Sequence, residues 1–276
     1  MAQDRAALGA FLRSRRDRLT PAQAGITPFP GPRRVPGLRK EELAVLAGLS
    51  ADYYSRLEQG RQANISAEVL GSLARALRLD EVEQAHLHDL AAPVAAGRAQ
   101  AESLQVADPG LLRVMGALDH VPAILLGHRS LVLARNALLG EVLGVPMEPG
   151  TVFSDWLLTD PGARERIVNW TDFAQSAVAT LRREAGRRPH DPQLKAGIER
   201  LRRDPDIARW WDDHGVRDYS SMRKTVRHPA AGLLAFGVEV LTGPLDPGQR
   251  LIVYTVEPDS ETSRMLPILG SWAGAS

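Results

Sequence analysis

The side chains best placed to recognise a partner lie in one short stretch of the chain, residues 50–64. Asp52, Ser55 and Arg56 are predicted to share the outer face of a helix, with Ala51 at its start. An arginine can donate twice to guanine O6 and N7, an aspartate can accept from a cytosine amine, and an alanine can contact a thymine methyl. This face therefore predicts a surface that reads base edges in DNA. For each residue the alternative is an ordinary solvated position.

Further polar residues flank this face and are predicted to complete it. Contacts of this kind with phosphates set the register on a duplex and make binding sensitive to salt, without choosing the sequence. The flanking residues are Arg39, Lys40, Ser50, Tyr53, Arg61 and Asn64. Arg33 and Arg34, on the preceding connection, can also reach a phosphate backbone.

Two short amphipathic helices position these residues. Residues 39–47 and 51–59 are predicted helices joined by a tight turn at Gly48-Leu49-Ser50, which is how a helix is presented to the DNA major groove. Ser50 suits the N-cap because its hydroxyl can accept from unpaired first-turn amides. Tyr54 and Leu57 match the inward face and are predicted to pack in the core.

Three more helices are predicted around this pair. They cover residues 4–18, a helix capped by Ser66, and residues 81–91, where Asp80 and Glu83 form a capping box. The connection at 20–37 is dense in Pro and Gly and is predicted to lack regular structure. Residues 1–91 are thus expected to form a five-helix all-α domain, followed by a linker at 92–107.

Residues 108–276 are predicted to form an α+β domain on a five-stranded antiparallel sheet. The predicted strands are 122–127, 131–136, 224–228, 232–242 and 250–257. The predicted helices are 111–118, 137–143, a long helical stretch from Asp160 past Leu181, helices restarted at Asp191-Pro192 and Asp204-Pro205, and 260–270.

Composition narrows the class of protein. The 276 residues are 44% hydrophobic, which suits packed cores. Residues 1–66 hold 11 Lys and Arg against 6 Asp and Glu, a net charge of +5 in a chain of +1, so a polyanion is expected to meet this part alone. The absence of cysteine excludes disulfides, thiolate zinc sites and cysteine nucleophiles. The start of the chain lacks a signal-peptide pattern and no apolar run suits a membrane span, so a cytoplasmic protein is expected.

Aromatic residues in the second domain predict a small-molecule site, because such sites combine an apolar lining with a few polar groups. His214 and Arg223 are placed to meet a carboxylate. The full set of predicted ligand-binding residues is Trp156, Trp170, Trp210, Trp211, His214, Arg223 and Phe236. The alternative is that the rings are ordinary core and that the polar groups make structural hydrogen bonds.

Enzyme function is not predicted. His86 and His88 would point to nearly opposite sides of a helix, and the consecutive Asp212, Asp213 and His214 diverge in the same way. No GxGxxG, GxxxxGK[ST] or GxSxG motif occurs, and the other histidines lack zinc spacing. No catalytic residue, cofactor or metal is therefore expected.

The segment LRKEELAVLAGLSADYYSRLEQGR resembles the DNA-binding domain of the XRE (lambda-repressor-like) regulators. The preceding RRVPG and the third helix DYYSRLEQGR are similar to the MmyB-like branch. The segments PAILLGHRSLVLARNALL, WWDDHGVRD, KTVRHPAAG and QRLIVYTVEPDS are similar to the MmyB-like ligand-binding domain. Lys40 stands where many XRE members carry Gln, and the loop at 20–36 is longer than in simple XRE repressors.

The resemblance implies a five-helix DNA-binding domain and a PAS-like domain that binds a small apolar molecule, with fatty acids as the known type. The expected function is thus a sequence-specific transcriptional regulator that binds operator DNA as a homodimer and senses such a ligand. The alternative is a DNA-binding regulator whose second domain serves only for dimerisation or docking of a partner.

Overall fold

The computed structural model describes residues 2–30, 35–62, 65–91, 105–213, 222–243, 246 and 248–273. The chain divides into two units: Met1–Ala99 with Ala179–Arg217, and Gln100–Val178 with Asp218–Ser276. The domain limits predicted at residues 91 and 108 stay a prediction. No helix in the described ranges is long and apolar enough to cross a membrane.

The first unit begins with helices, several of which start at the capping residues that the sequence predicts. These are α1 (Ala2–Arg18), α2 (Pro21–Ala24), α3 (Lys40–Leu46), α4 (Ala51–Glu58), α5 (Ala67–Ala76) and α6 (Glu81–Ala91). Ser66 accepts from Val69 N, and Asp80 and Glu83 exchange two hydrogen bonds, so both predicted caps are confirmed.

The prediction that residues 20–37 lack regular structure is wrong for α2. Thr20 Oγ1 accepts from Gln23 N, Gln23 Oε1 accepts from Thr20 N, and Pro21 occupies the first helical position. A capping box and a proline with a preset φ stabilise one helical turn despite the proline-rich surroundings. Gly25 ends it with a left-handed backbone at φ 77°.

A single apolar core holds these helices together. Phe11 and Leu12 of α1, Leu43 of α3, and Tyr54 and Leu57 of α4 are all buried in it. The inward positions predicted for Tyr54 and Leu57 are confirmed. A Cβ on Gly9 would lie 2.2 Å from Glu58 O, so α1 and α4 approach each other at backbone distance. The outer face of α4 is thus set by the packing of its inner face on α1.

The remaining helices and strands follow one another in groups, with a run of helices between the first two strands and the last three. They are α7 (Pro109–Ala117), β1 (Ala123–Leu126), β2 (Val132–Arg135), α8 (Ala137–Leu143), α9 (Phe153–Thr159), α10 (Pro161–Arg166), α11 (Trp170–Arg187), α12 (Pro192–Leu201), α13 (Pro205–Asp212), β3 (Met222–His228), β4 (Gly232–Thr242), β5 (Arg250–Thr255) and α14 (Glu261–Ala273).

Four Asp-Pro pairs begin helices in the same way. At α7, α10, α12 and α13 the aspartate carboxylate accepts from two first-turn amides and the proline takes the first helical position. This pattern confirms the predicted starts at Asp108, Asp160, Asp191 and Asp204.

The single long helical stretch predicted from Asp160 is wrong, because the chain leaves the helix between α10 and α11. Ile167 forms an isolated antiparallel bridge with Val226, and Val168 N donates to Thr225 O at 2.9 Å. Asn169 Oδ1 accepts from Thr225 N at 3.2 Å. Hydrogen bonds to a strand more than fifty residues away replace those that a continuous helix would have made. The helix α9 was also not predicted.

The five strands form one antiparallel sheet in the order β2-β1-β5-β4-β3. The five-stranded antiparallel sheet is thereby confirmed, and β5 lies at its centre. In β3 the buried residues are Lys224, Val226 and His228, while Arg223 and Arg227 are exposed. This period of two places every second side chain of β3 on the buried face of the sheet.

Candidate nucleic-acid interface and ligand site

The turn between α3 and α4 has the geometry that the sequence predicted. Gly48 adopts a left-handed conformation, with φ 67°, and Leu49 N donates to Ala44 O at 2.8 Å while Gly48 N donates to Val45 O at 3.1 Å. A residue with a Cβ is strained in this conformation, which favours glycine. Ser50 Oγ accepts from Tyr53 N at 3.1 Å and so caps α4. The turn fixes where α4 begins.

The outer face of α4 is open to solvent at its N-terminal half. Ala51, Asp52 and Arg56 are exposed, whereas Tyr53 and Ser55 are half-buried. Arg56 Nη1 lies 3.3 Å from Asp52 Oδ2, one helical turn away. An exposed pair of this kind contributes only about 0.3–0.5 kcal/mol, so DNA can displace it easily. Both side chains therefore remain accessible to a partner.

A buried carboxylate fixes the orientation of α4. Glu58 accepts from Arg16 Nε at 2.6 Å and from the Tyr54 hydroxyl at 2.7 Å, and its side chain is fully buried. Burial by itself would raise the pKa of Glu58, but these hydrogen bonds and the Arg16 charge hold it below its ordinary value. Arg16 also donates to Leu38 O at 2.7 Å. The ion pair of Glu58 and Arg16 thus joins α1, α4 and the segment before α3.

The predicted phosphate-binding residues occupy several settings. Lys40 Nζ lies 3.4 Å from Glu58 Oε2 with about a third of its side chain exposed. Arg39 precedes α3 and its Nη1 donates to Pro30 O at 3.0 Å, while Arg61 is exposed beyond the end of α4. Asn64, Arg33 and Arg34 lie outside the described residues.

In the second unit the inner face of the sheet carries a buried lysine. Lys224 is 1% exposed, and its Nζ donates to Tyr254 Oη at 2.7 Å. Its ammonium lies 4.8 Å from the ring centres of Phe173 and Tyr254 and 5.8 Å from that of Phe153. Burial lowers the pKa of Lys224 to about 7. Among the described residues no carboxylate forms an ion pair with it.

The residues predicted for ligand binding are not all brought together. Trp210 and Trp211 belong to the first unit, where their carbonyl oxygens both accept from Arg182 Nη2 at 2.6 Å. The guanidinium of Arg182 also lies 5.3 Å from the Trp211 ring centre. Burial lowers the pKa of Arg182 to about 10. The two tryptophans thus lie beside a buried arginine in the first unit.

Four other predicted residues lie in the second unit, in different settings. Trp170 is buried, donates from Nε1 to Leu157 O at 2.7 Å and packs under Arg164. Trp156 is half-buried with its ring centre 5.5 Å from that of Phe153. Phe236 is buried, with its ring centre 5.6 Å from that of Tyr254. Arg223 is exposed and lies 3.7 Å from Glu257, and His214 falls outside the described residues.

Two protein families match the chain, one over its N-terminal part and the other over its C-terminal part. The helix-turn-helix domain matches residues 7–87. The MmyB-like transcription regulator ligand binding domain matches residues 107–269, which is more than half of the chain. The chain belongs to the MmyB-like transcription regulators. No curated protein matches it closely enough to serve as a relative.

Family membership gives the two matched regions of the chain their roles. An MmyB-like regulator is a DNA-binding transcription regulator with a ligand-binding domain, so the matched families are those of regulators and not of enzymes. The resemblance seen in the sequence is confirmed over both domains. The helix α4 lies within the helix-turn-helix match, and Lys224 lies within the ligand-binding match.

Sequence reasoning missed Lys224 and Tyr254 in this MmyB-like regulator. It selected Arg223, the neighbour whose side chain points to the solvent-exposed face of β3. A signal was present, because Lys224 alternates with Val226 and His228 and so shares their face. A charged residue on the apolar face of a strand is rare enough to mark a site.

Proposed function

We propose that the protein is a ligand-responsive transcriptional regulator that binds operator DNA as a homodimer through α4. Its second domain senses a small apolar molecule such as a fatty acid. The observation that carries the DNA contact is the exposed N-terminal half of α4, capped by Ser50 and supported from behind by buried Tyr54 and Leu57. A recognition helix presents its N-terminal residues to base edges in this arrangement.

The small size of a single recognition helix supports the homodimer. One helix reads only a few base pairs, and helix-turn-helix regulators gain affinity by placing two such helices about one DNA turn apart. The net charge of +5 over residues 1–66 supports attraction of this part to the phosphate backbone.

The sensing role is supported by the aromatic interior of the second unit. Phe153, Phe173, Phe236 and Tyr254 are all buried near one another on α9, α11, β4 and β5. For a ligand to switch the protein, it must bind one state more tightly than another.

Selection of duplexes from a random pool by the purified full-length protein tests the DNA contact. We expect one enriched sequence with two related half-sites, retained less strongly as salt is raised. Retention of every duplex alike would contradict sequence-specific regulation.

Denaturing mass spectrometry of an organic extract tests the sensing role. A lipid that co-purifies in near-stoichiometric amount supports it. An empty extract, together with no thermal shift across a series of fatty acids, contradicts it.

A second candidate role for this domain is dimerisation or docking of a partner, without a ligand. Exposed apolar residues favour it: Leu233 and Leu241 on β4 and Ile268 and Trp272 on α14 are each at least two-fifths exposed. Such residues are typical of contact surfaces when they are contiguous. Sedimentation of the purified full-length Trp272→Ser and Leu233→Ser variants would show whether a dimer depends on these two residues.

A further inference from the structure

The buried amine of Lys224 is unexplained by the packing of the second unit. Its only hydrogen-bond partner among the described residues is the Tyr254 hydroxyl. An ammonium has three donors, and a charge taken out of water is costly unless it is paired. An apolar side chain of similar volume, such as methionine, would pack there without that cost. A lysine at this position is therefore unfavourable for the stability of the fold, and a role in binding a ligand accounts for it better.

The surroundings of Lys224 are aromatic on several sides. Phe153 comes from α9, Phe173 from α11, and Tyr254 from the central strand β5. Ring faces attract an ammonium and offset part of its desolvation, but they do not neutralise its charge. Desolvation is the one influence on the pKa of Lys224, so no charged group of these elements compensates it. The site thus has a buried amine, a hydroxyl group and apolar walls, and the part of the chain that the structure describes supplies no anion to it.

We propose that Lys224 and Tyr254 together anchor the carboxylate of a ligand whose apolar body packs among the aromatic rings of the second unit. This inference rests on the proposed sensing function and names the two side chains, Lys224 and Tyr254, that hold the acid group of such a ligand. The two polar side chains select for the acid group of the ligand, and the aromatic rings accept different apolar chains attached to it.

The chemistry of the pair suits a carboxylate. The Lys224 ammonium and the Tyr254 hydroxyl lie within hydrogen-bonding distance of each other, so the two oxygens of one carboxylate can accept from both. The negative charge of the ligand then balances the positive charge of the lysine, and the buried site becomes neutral overall. A methyl ester of the same acid offers the same apolar body and no charge.

Calorimetric titration of the full-length protein with octanoic, decanoic and dodecanoic acids and their methyl esters tests the anchor. The protein should first be delipidated. We expect the wild type to bind at least one acid about 10- to 100-fold more tightly than its ester, the range of a charge-assisted hydrogen bond. Lys224→Met should bind acid and ester alike, and Tyr254→Phe should lose a smaller part of the preference.

A matched control uses another lysine of the chain. Lys195 on α12 is exposed, so Lys195→Met removes the same charge outside the site and should keep the full preference for acids. Lys224→Met removes a buried amine and is expected to fold at least as stably as the wild type, which thermal unfolding checks.

Proton uptake on ligand binding is a further measurement, and a lysine with only a structural role would not produce it. Titrations at about pH 8 in buffers of different ionisation enthalpy should show uptake approaching one proton per acid bound, because the carboxylate favours the charged lysine. Among the described residues the titratable group in contact with the amine is Tyr254, and its removal in Tyr254→Phe should leave the uptake in place. Lys224→Met should show none.

The outcomes separate this inference from the proposed function. Equal binding of acids and esters by the wild type, or an unchanged preference in Lys224→Met, would overturn the carboxylate anchor and leave apolar sensing intact. Binding of esters without acids would do the same. If neither acids nor esters bind, both the anchor and the sensing role fail.

Discussion

At the scale of single residues, recognition of the DNA base sequence is predicted to depend on Arg56. Its side chain is about half exposed, and within the described residues it is held by the weak pair with Asp52. Replacement by alanine therefore leaves the core of the first unit untouched. The energetic effect of this residue should appear in binding to DNA and not in folding.

We expect Arg56→Ala to weaken binding to the selected operator by about 1–3 kcal/mol and to affect random duplexes less. Arg61→Ala, at a predicted phosphate contact, should weaken both classes of duplex alike and reduce the salt dependence. Arg113→Ala on α7 removes the same charge from the second unit and serves as the control. Fluorescence anisotropy at several salt concentrations measures all three. Equal losses on both duplexes for Arg56→Ala would show that it contacts phosphate alone.

Lys224 makes a residue-scale prediction about pH. Its pKa falls from an ordinary 10.5 to about 7 in the folded chain, so between these values the unfolded state binds more protons. Stability should therefore rise with pH in this window, by up to about 1.4 kcal/mol per pH unit, and the gain is lost as pH falls towards 7. Denaturant unfolding of wild type and Lys224→Met from about pH 7 to 9.5 measures the difference.

Subtracting the unfolding free energy of Lys224→Met from that of the wild type at each pH cancels the contributions of other titratable groups. Lys224→Met should lack this rise in stability with pH. The chain has three lysines, so carbon-13 labelling at lysine gives a separate titration curve for Lys224. A Lys224 titration near its ordinary value in the ligand-free protein would contradict the prediction.

At the scale of elements, the close packing of α1 on α4 sets the position of the proposed recognition helix. Gly9 lies against the backbone of Glu58, where a Cβ would stand 2.2 Å from the carbonyl oxygen. Backbone cannot move aside as a flexible side chain can. The buried Arg16 to Glu58 hydrogen bonds then hold the two helices in one orientation.

We expect Gly9→Ala to destabilise the first unit by about 1–3 kcal/mol, the usual range for overpacking. Gly71→Ala on α5 is the matched control, because its added Cβ meets only Arg75 Nη1 at 3.6 Å. That change should raise stability by about 0.5–1 kcal/mol, since alanine favours a helix interior. Circular dichroism during thermal unfolding distinguishes them. Similar shifts for both variants would show that α1 and α4 are not packed at backbone distance.

At the scale of the whole molecule, the function requires that the two domains communicate. Coupling between DNA and ligand is reciprocal in free energy, whatever structural path carries it. A regulator that responds to a carboxylic acid must therefore show an altered affinity for its operator when the acid is bound.

We expect saturating dodecanoic acid to change the operator affinity of the full-length protein by about fivefold or more, and operator DNA to change the affinity for the acid by the same factor. Anisotropy with the selected duplex and calorimetry with the acid measure the two sides. Lys224→Met at the same acid concentration is the control and should show no change. An operator affinity that is unaffected by acid in the wild type would mean that the ligand does not regulate DNA binding.

Much of the fold could be predicted because its signals are local. Helix starts at Ser50, Ser66 and Asp80 depend on residues three positions apart, and the Asp-Pro starts depend on adjacent ones. The inward face of α4 follows from a period of about four residues, and the five strands from runs bounded by turns. The family resemblance rests on the same short segments. These features are encoded within a few residues of the chain, which is why one sequence determined them.

Tertiary structure alone decided the rest, because its causes lie far apart in the chain. Glu58 meets Arg16 across 42 positions, and Lys224 meets Tyr254 across 30. The break between α10 and α11 depends on hydrogen bonds to β3, and Trp210 and Trp211 belong to the first unit and not the second. The burial of a lysine depends on which elements cover its strand. The alternation along β3 places Lys224 on the same face as Val226 and His228, but no local pattern shows which helices cover that face or that Tyr254 lies beside the amine.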